Sequence, residues 1–249
     1  MKCPKCNFEQ TDRNTECLRC GIIFEKFHNR QKAAARHHRI SGAPAAMASG
    51  FWDITKNLIF HVNPEVNPLI FGGRAVFFLV ILIWGLKFIF TPMESGYMFK
   101  SFWHLVNLPF HEAGHIFFRP FGRFMTSLGG SLAQILMPLI CLGVFLIKTR
   151  DTFAASFCLW WTGESFMDLA PYIDDARRLT LPLVGGNTGR TSPYGFHDWE
   201  FILKESGLIR YDHTLATMAF AIGCLLMGCA FIWGAYILLQ QYRLLKNEG

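Results

Sequence analysis

Long apolar stretches alternate with short polar ones along most of this chain. Residues 75–90 (AVFFLVILIWGLKFIF), 102–118 (FWHLVNLPFHEAGHIFF), 128–147 (LGGSLAQILMPLICLGVFLI), 153–170 (FAASFCLWWTGESFMDLA) and 214–239 (TLATMAFAIGCLLMGCAFIWGAYILL) stand out. Each approaches the roughly 20 apolar residues that cross about 30 Å of hydrocarbon. The first qualifies if Lys87 snorkels toward an interface. The pattern predicts a mainly α protein, a polytopic membrane helix bundle over residues 51–249 with four to five hydrophobic helices. Polar residues inside the stretches are confined to the second and fourth. Residues 51–74 mix aromatics with Pro and Gly and predict an interfacial approach, with Trp52 at the headgroup level. Lys148 and Arg150, Arg177 and Arg178, and Arg243 and Lys246 cannot all be cytoplasmic if every stretch crosses once. One stretch is therefore expected to break or re-enter, with Gly129-Gly130 and Pro138 as places for it.

Composition strengthens the membrane reading. Of 249 residues, 51% are hydrophobic and 17% charged, with 25 Phe and 7 Trp; a soluble domain carries about 25% charged residues. The net charge of +6 gathers in residues 1–50, where Lys2, Lys5, Arg13, Arg19, Lys26, Arg30, Lys32, Arg36 and Arg39 face four acids. Such a stretch suits a cytoplasmic face beside anionic membrane lipid. Nucleic acid is the competing partner for basic zinc modules, but no basic or aromatic array continues past residue 40. Met1–Gln10 is polar and lacks the apolar stretch of a secretory signal, so the amino terminus is expected to stay in a reducing compartment.

There, cysteine pairs bind metal rather than form disulfides. Cys3 and Cys6, and Cys17 and Cys20, make two C-x2-C turns with ten residues between them. Each turn points two thiolates to one side, and the pair completes a tetrahedron around Zn2+. Residues 1–27 are therefore a zinc ribbon whose folding free energy comes from the metal. With four thiolates its shell is closed, so its role is structural or for docking. Residues 28–50 (HNRQKAAARHHRISGAPAAMASG), with His28, His37 and His38, form a basic, flexible linker. Cys141, Cys158, Cys224 and Cys229 read as packing residues.

Within the second apolar stretch, His111, Glu112, Ala113, Gly114 and His115 spell H-E-x-x-H. On a helix the two histidines share one face, so both imidazoles can reach one Zn2+, with Glu112 at the edge of that face as general base. Ionisable residues in an apolar helix are costly unless they pair or bind metal. A catalytic zinc needs a third protein ligand and one open position. Glu164 and Asp168, one turn apart in the fourth stretch, are the candidates. His104 shares the His111 face and reads as a polar contact lining the helix. His197, followed by Asp198 and Trp199 in the polar loop, is a weaker candidate for steadying an oxyanion.

HExxH followed by ExxxD on a later helix is similar to the gluzincin metallopeptidases. That resemblance implies Glu164 as third ligand and Asp168 as the group that orients a ligand histidine. The membrane setting resembles the site-2 protease family instead, whose third ligand is an Asp in a motif ending Asp-Gly. Here Asp168 precedes Leu169, so that motif is absent and Glu164 and Asp168 stay rivals. The stretch FHEAGHIFFRPFGRFMTSLGGSLAQ also resembles bacterial membrane proteins that carry the same ribbon. Together these features imply a zinc metallopeptidase of the bacterial inner membrane, ribbon in the cytoplasm, acting on a membrane-protein substrate in or near the bilayer. The rival reading is a non-catalytic scaffold with structural zinc and a recruiting ribbon. A third is a zinc hydrolase acting on a lipid amide.

Overall fold

The computed structural model describes residues 1–11, 14–26 and 50–248, and divides into two compact units, Met1–Ile54 and Thr55–Gly249. Apart from Gly50, the predicted linker lies outside the described residues.

In the first unit, two turns of like sequence take like structure. Cys3 N–H donates to the Phe8 carbonyl at 2.9 Å and Asn7 N–H to the Cys3 carbonyl at 3.0 Å. The second turn repeats this, with Cys17 N–H on the Ile22 carbonyl at 2.9 Å and Gly21 N–H on the Cys17 carbonyl at 2.8 Å. Each turn closes on a left-handed residue, Asn7 at φ 55 and Gly21 at φ 68, a conformation that Asn and Gly adopt at least cost. Gln10 joins the turns, its Nε2 donating to the Glu16 carbonyl at 2.9 Å and its Oε1 accepting from Leu18 N–H at 3.0 Å. Among the described residues, Phe24 is the one buried side chain of this unit's core cluster besides the cysteines. So little apolar surface cannot hold the turns together by itself.

The remaining helices are α1 (Phe51–Ile59), α2 (Pro68–Phe90), α3 (Phe102–Phe118), α4 (Arg123–Val144), α5 (Thr152–Asp174), α6 (Asp198–Glu205) and α7 (Asp212–Glu248), with a π-helical turn, Phe145–Thr149, continuing α4. Asn67, Ser101 and Asp151 cap α2, α3 and α5, their side-chain oxygens accepting N–H groups that have no partner inside the helix.

Among the described residues, three helices are long and apolar enough to cross a membrane: Pro68–Phe90, Arg123–Thr149 and Ile209–Asn247. This is fewer than the four to five that the pattern predicts. The second stretch forms a helix of 17 residues, about 26 Å at 1.5 Å per residue. The fourth forms α5, whose Thr, Ser, Glu and Asp residues lower its hydropathy and are buried among the other helices. On the outer helices the exposure runs the other way. Leu69 is 85% exposed, Leu225 70% and Ile232 75%. Water would penalise that surface by about 25 cal/mol per Å², whereas hydrocarbon does not. These three helices make the protein membrane-associated.

Close helix crossings position the interior. A Cβ on Gly163 would meet the Gly223 carbonyl oxygen at 2.8 Å, and one on Gly223 would meet that of Gly163 at 2.6 Å, so α5 and α7 touch backbone to backbone. The α3–α4 crossing is tighter still: a Cβ on Gly114 would lie 2.2 Å from the Gly129 carbonyl oxygen. The expected break at Gly129-Gly130 is not there. α4 runs unbroken through both glycines and Pro138, and the glycines serve to bring α3 close.

Candidate metal centres

The four cysteines meet as their spacing predicts, with their sulfurs in one cluster. Cys3 Sγ lies 3.7 Å from Cys20 Sγ, and Cys6 Sγ 3.6 Å from Cys17 Sγ. A disulfide would need about 2.05 Å; metal–sulfur bonds of about 2.3 Å at tetrahedral angles set sulfurs about 3.8 Å apart. Burial opposes ionisation of Cys3, but N–H groups of Cys6 and Lys5 outweigh it and bring the thiol down to about 6. The cluster has the form of a closed four-thiolate metal site.

The second centre is built on the α3–α4 crossing. His111 and His115 lie one turn apart on α3, their ring centroids 5.0 Å apart. Gly130 leaves them room: a Cβ there would sit 2.6 Å from His111 Nε2 and 2.7 Å from His115 Cε1. The third donor is Asp198, the first residue of α6. Its Oδ2 lies 3.3 Å from His111 Nε2 and 3.4 Å from His115 Nε2. Charge-assisted hydrogen bonds between such groups run about 2.7–2.9 Å, so these contacts are long for ion pairing. They match the edges of a tetrahedron with metal–ligand bonds of about 2.0–2.1 Å, which are about 3.3–3.4 Å.

The far side of each donor is also held. His115 Nδ1 donates to the Thr126 carbonyl at 2.8 Å, and His111 Nδ1 donates to Gln134 Oε1 at 3.1 Å. Both bonds put the ring proton on Nδ1 and leave Nε2 free as a ligand, the usual arrangement of metal-binding histidine. Tyr172 Oη donates to Asp198 Oδ2 at 3.2 Å and accepts Asp198 N–H at 3.0 Å. A cavity of about 570 Å³ opens beside the three donors, and Glu112 and Tyr172 share its wall. The donor set therefore faces space rather than a closed shell.

No protein-family model, curated protein or solved structure matches this chain.

Among the predicted site residues, Cys3, Cys6, Cys17 and Cys20 come together, as do His111 and His115, with Glu112 on their cavity. Glu164 and Asp168 do not join the histidines. Glu164 is buried, with Oε2 accepting from Asn107 Nδ2 at 2.7 Å. Asp168 accepts from Gln134 Nε2 at 2.9 Å and contacts His104 Nδ1 at 2.9 Å. The third-ligand reading is corrected accordingly: Glu164 is turned to Asn107, Asp168 lines the cavity but is turned to His104, Asn107 and Gln134, and Asp198 is the carboxylate that meets both histidines.

His197 is also corrected. It is fully buried, caps α6 through Nδ1, which accepts Glu200 N–H at 3.2 Å, and packs against Tyr172 with ring centroids 4.4 Å apart. Its Nε2 lies 3.4 Å from the Asp175 carboxylate. The imidazole braces the loop, and its neighbour Asp198 enters the site. Sequence reasoning missed Asp198, Gln134, Tyr172 and Thr126. Two of them left a trace: Asp198 is the acid directly after His197, and Tyr172 follows Asp168 by one turn on the same face of α5.

Proposed function

We propose that this chain is a membrane-embedded zinc metallohydrolase, a metallopeptidase that cleaves a peptide bond in or near the bilayer. The observation that carries the reading is the convergence of His111 Nε2, His115 Nε2 and Asp198 Oδ2 at tetrahedral separations beside a cavity that also holds Glu112. Two imidazoles and a carboxylate suit zinc, and the open side suits a catalytic rather than a structural ion. When bound there, zinc supplies Lewis acidity, polarising a carbonyl and acidifying water. Glu112 accepts a proton from the attacking water and returns it to the leaving amine. Tyr172 and Gln134 hold the donors in place while it does so.

The donor set also bears on the resemblances. Two histidines of HExxH joined by an Asp from a later element is the chemistry of the site-2 proteases, whereas the gluzincins use Glu. Asp198 begins a short helix after a polar loop rather than a membrane span, and that difference separates it from the former. A scaffold with purely structural zinc needs neither Glu112 nor a cavity against the ion. In this reading the ribbon holds a second, structural zinc and lies in the cytoplasm, with the bundle in a bacterial inner membrane. The CxxC pairs and the basic residues 1–50 support that side.

Glu112→Gln tests the reading, because the amide keeps size and hydrogen bonding but accepts no proton at neutral pH. Zinc content is expected to stay intact, while turnover of membrane-peptide substrates in detergent or nanodiscs falls by about two orders of magnitude or more. Unchanged turnover removes Glu112 from the mechanism. Turnover of lipid amides alone shifts the substrate class from peptide to lipid.

A further inference from the structure

Behind the metal-facing edge of His111 lies a side-chain amide that could be turned either way. Gln134 is buried and its two ends meet different groups: Oε1 accepts from His111 Nδ1 at 3.1 Å, and Nε2 donates to Asp168 Oδ2 at 2.9 Å. Turned over, the amide would set its oxygen against the Asp168 carboxylate and its N–H against His111 Nδ1. The imidazole would then carry its proton on Nε2, the atom that faces Asp198, and would have no lone pair to offer there.

Asp168 is surrounded by donors. Besides Gln134 it accepts from Asn107 Nδ2 at 3.2 Å and meets His104 Nδ1 at 2.9 Å. Asn107 is itself fixed, because its Oδ1 accepts from Trp161 Nε1 at 2.9 Å, and an indole N–H only donates. A carboxylate supplied in this way accepts hydrogen bonds and makes none, so it selects the end of Gln134 that it meets.

We propose that Gln134 and Asp168 are positioning residues of the membrane metal centre. The Asp168 carboxylate selects the orientation of Gln134, and Gln134 selects the His111 tautomer whose Nε2 is free to bind. Asp168 thus acts on the ion without touching it, and only through Gln134. The inference rests on the metal reading of His111, His115 and Asp198, and not on any substrate.

The test measures zinc affinity at the membrane centre of the full-length protein by chelator competition, with zinc at the four cysteines as internal reference. Gln134→Leu and Asp168→Asn are each expected to weaken binding by about 10–100-fold, the scale of such outer partners. The double variant should bind no more weakly than Gln134→Leu alone. Gln134→Glu supplies an arm of opposite sign. Its carboxylate accepts His111 Nδ1–H without help, but beside Asp168 it sets two anions against each other. It should therefore weaken zinc binding in the native chain and restore it in the Asp168→Asn background. Losses that simply add in the double variant, or no recovery by Gln134→Glu, overturn the proposal. If Asp168→Asn unfolds the bundle, Gln134→Leu decides alone, since it leaves Asp168 its contacts with Asn107 and His104. Native zinc affinity in a folded Gln134→Leu protein overturns the proposal as well. Because the readout is zinc, failure here leaves Glu112 and the hydrolase reading standing, and failure of Glu112→Gln leaves this chain of contacts standing.

Discussion

Asp198 gives the two imidazoles a carboxylate oxygen that no periodicity within α3 or α5 could have supplied. The ExxxD spacing of Glu164 and Asp168 satisfies the rule that residues one turn apart share a face, and both do face α3. What they meet is Asn107 and His104 of α3 and Gln134 of α4, not the Nε2 atoms. The correction makes a prediction at single residues. Asp198→Ala removes a metal donor and is expected to empty the membrane site. Glu164→Ala removes only a partner of Asn107 and should leave that zinc in place. Metal analysis of purified protein checks both, and a Glu164→Ala protein that has lost the membrane zinc would restore Glu164 as the ligand.

At the level of elements, α3 and α4 show why a short motif needs its neighbours. HEAGH places two rings on α3, but they can turn toward Asp198 only because Gly130 leaves the facing surface of α4 bare. Gly114 and Gly129 then let the helices approach closely enough for Thr126 and Gln134 to reach the Nδ1 atoms. The ribbon has no such dependence. Its turns, their left-handed closing residues and its four sulfurs all lie within the unit Met1–Ile54. Cys17→Ser with Cys20→Ser is therefore expected to unfold residues 1–27 and to leave zinc at His111, His115 and Asp198. One zinc per chain should remain where the parent has two, and loss of both would contradict independent units.

For the whole molecule, the disposition of α5 bears on how the membrane is expected to be crossed. It lies antiparallel to α7: His213 Nδ1 contacts Asp174 Oδ1 at 2.7 Å, Gly163 meets Gly223, and a Cβ on Gly234 would lie 3.1 Å from Ser156 Oγ. A helix that accompanies a candidate membrane-spanning partner along this length is expected to cross with it, even though α5 is not itself apolar enough to count as a span. Its polar residues are affordable there because they face protein rather than lipid. Residues flanking α5 are thus expected on opposite faces. Cysteines introduced by Arg150→Cys and by Arg190→Cys should react with a membrane-impermeant maleimide from opposite sides of oriented vesicles, above the labelling of the parent. Reaction of both from one side would mean that α5 turns back within the bilayer.

Helical class, membrane association, the four-cysteine cluster and the HEAGH pair were legible in residue order alone. Each depends on a local quantity: the length of an apolar run, a two-residue gap between thiols, or one helical turn between imidazoles. The third donor, the partners of the Nδ1 atoms and the covering of the polar residues of α5 by its neighbours were decided by the tertiary structure. Asp198 reaches the site, and the Tyr172 hydroxyl on α5, because a loop after α5 folds back with His197 beside Asp175. Likewise the polar residues of α5 find their partners only where its neighbours cover it. Such features depend on which distant segments meet, and the spacing of residues along the chain carries no record of that.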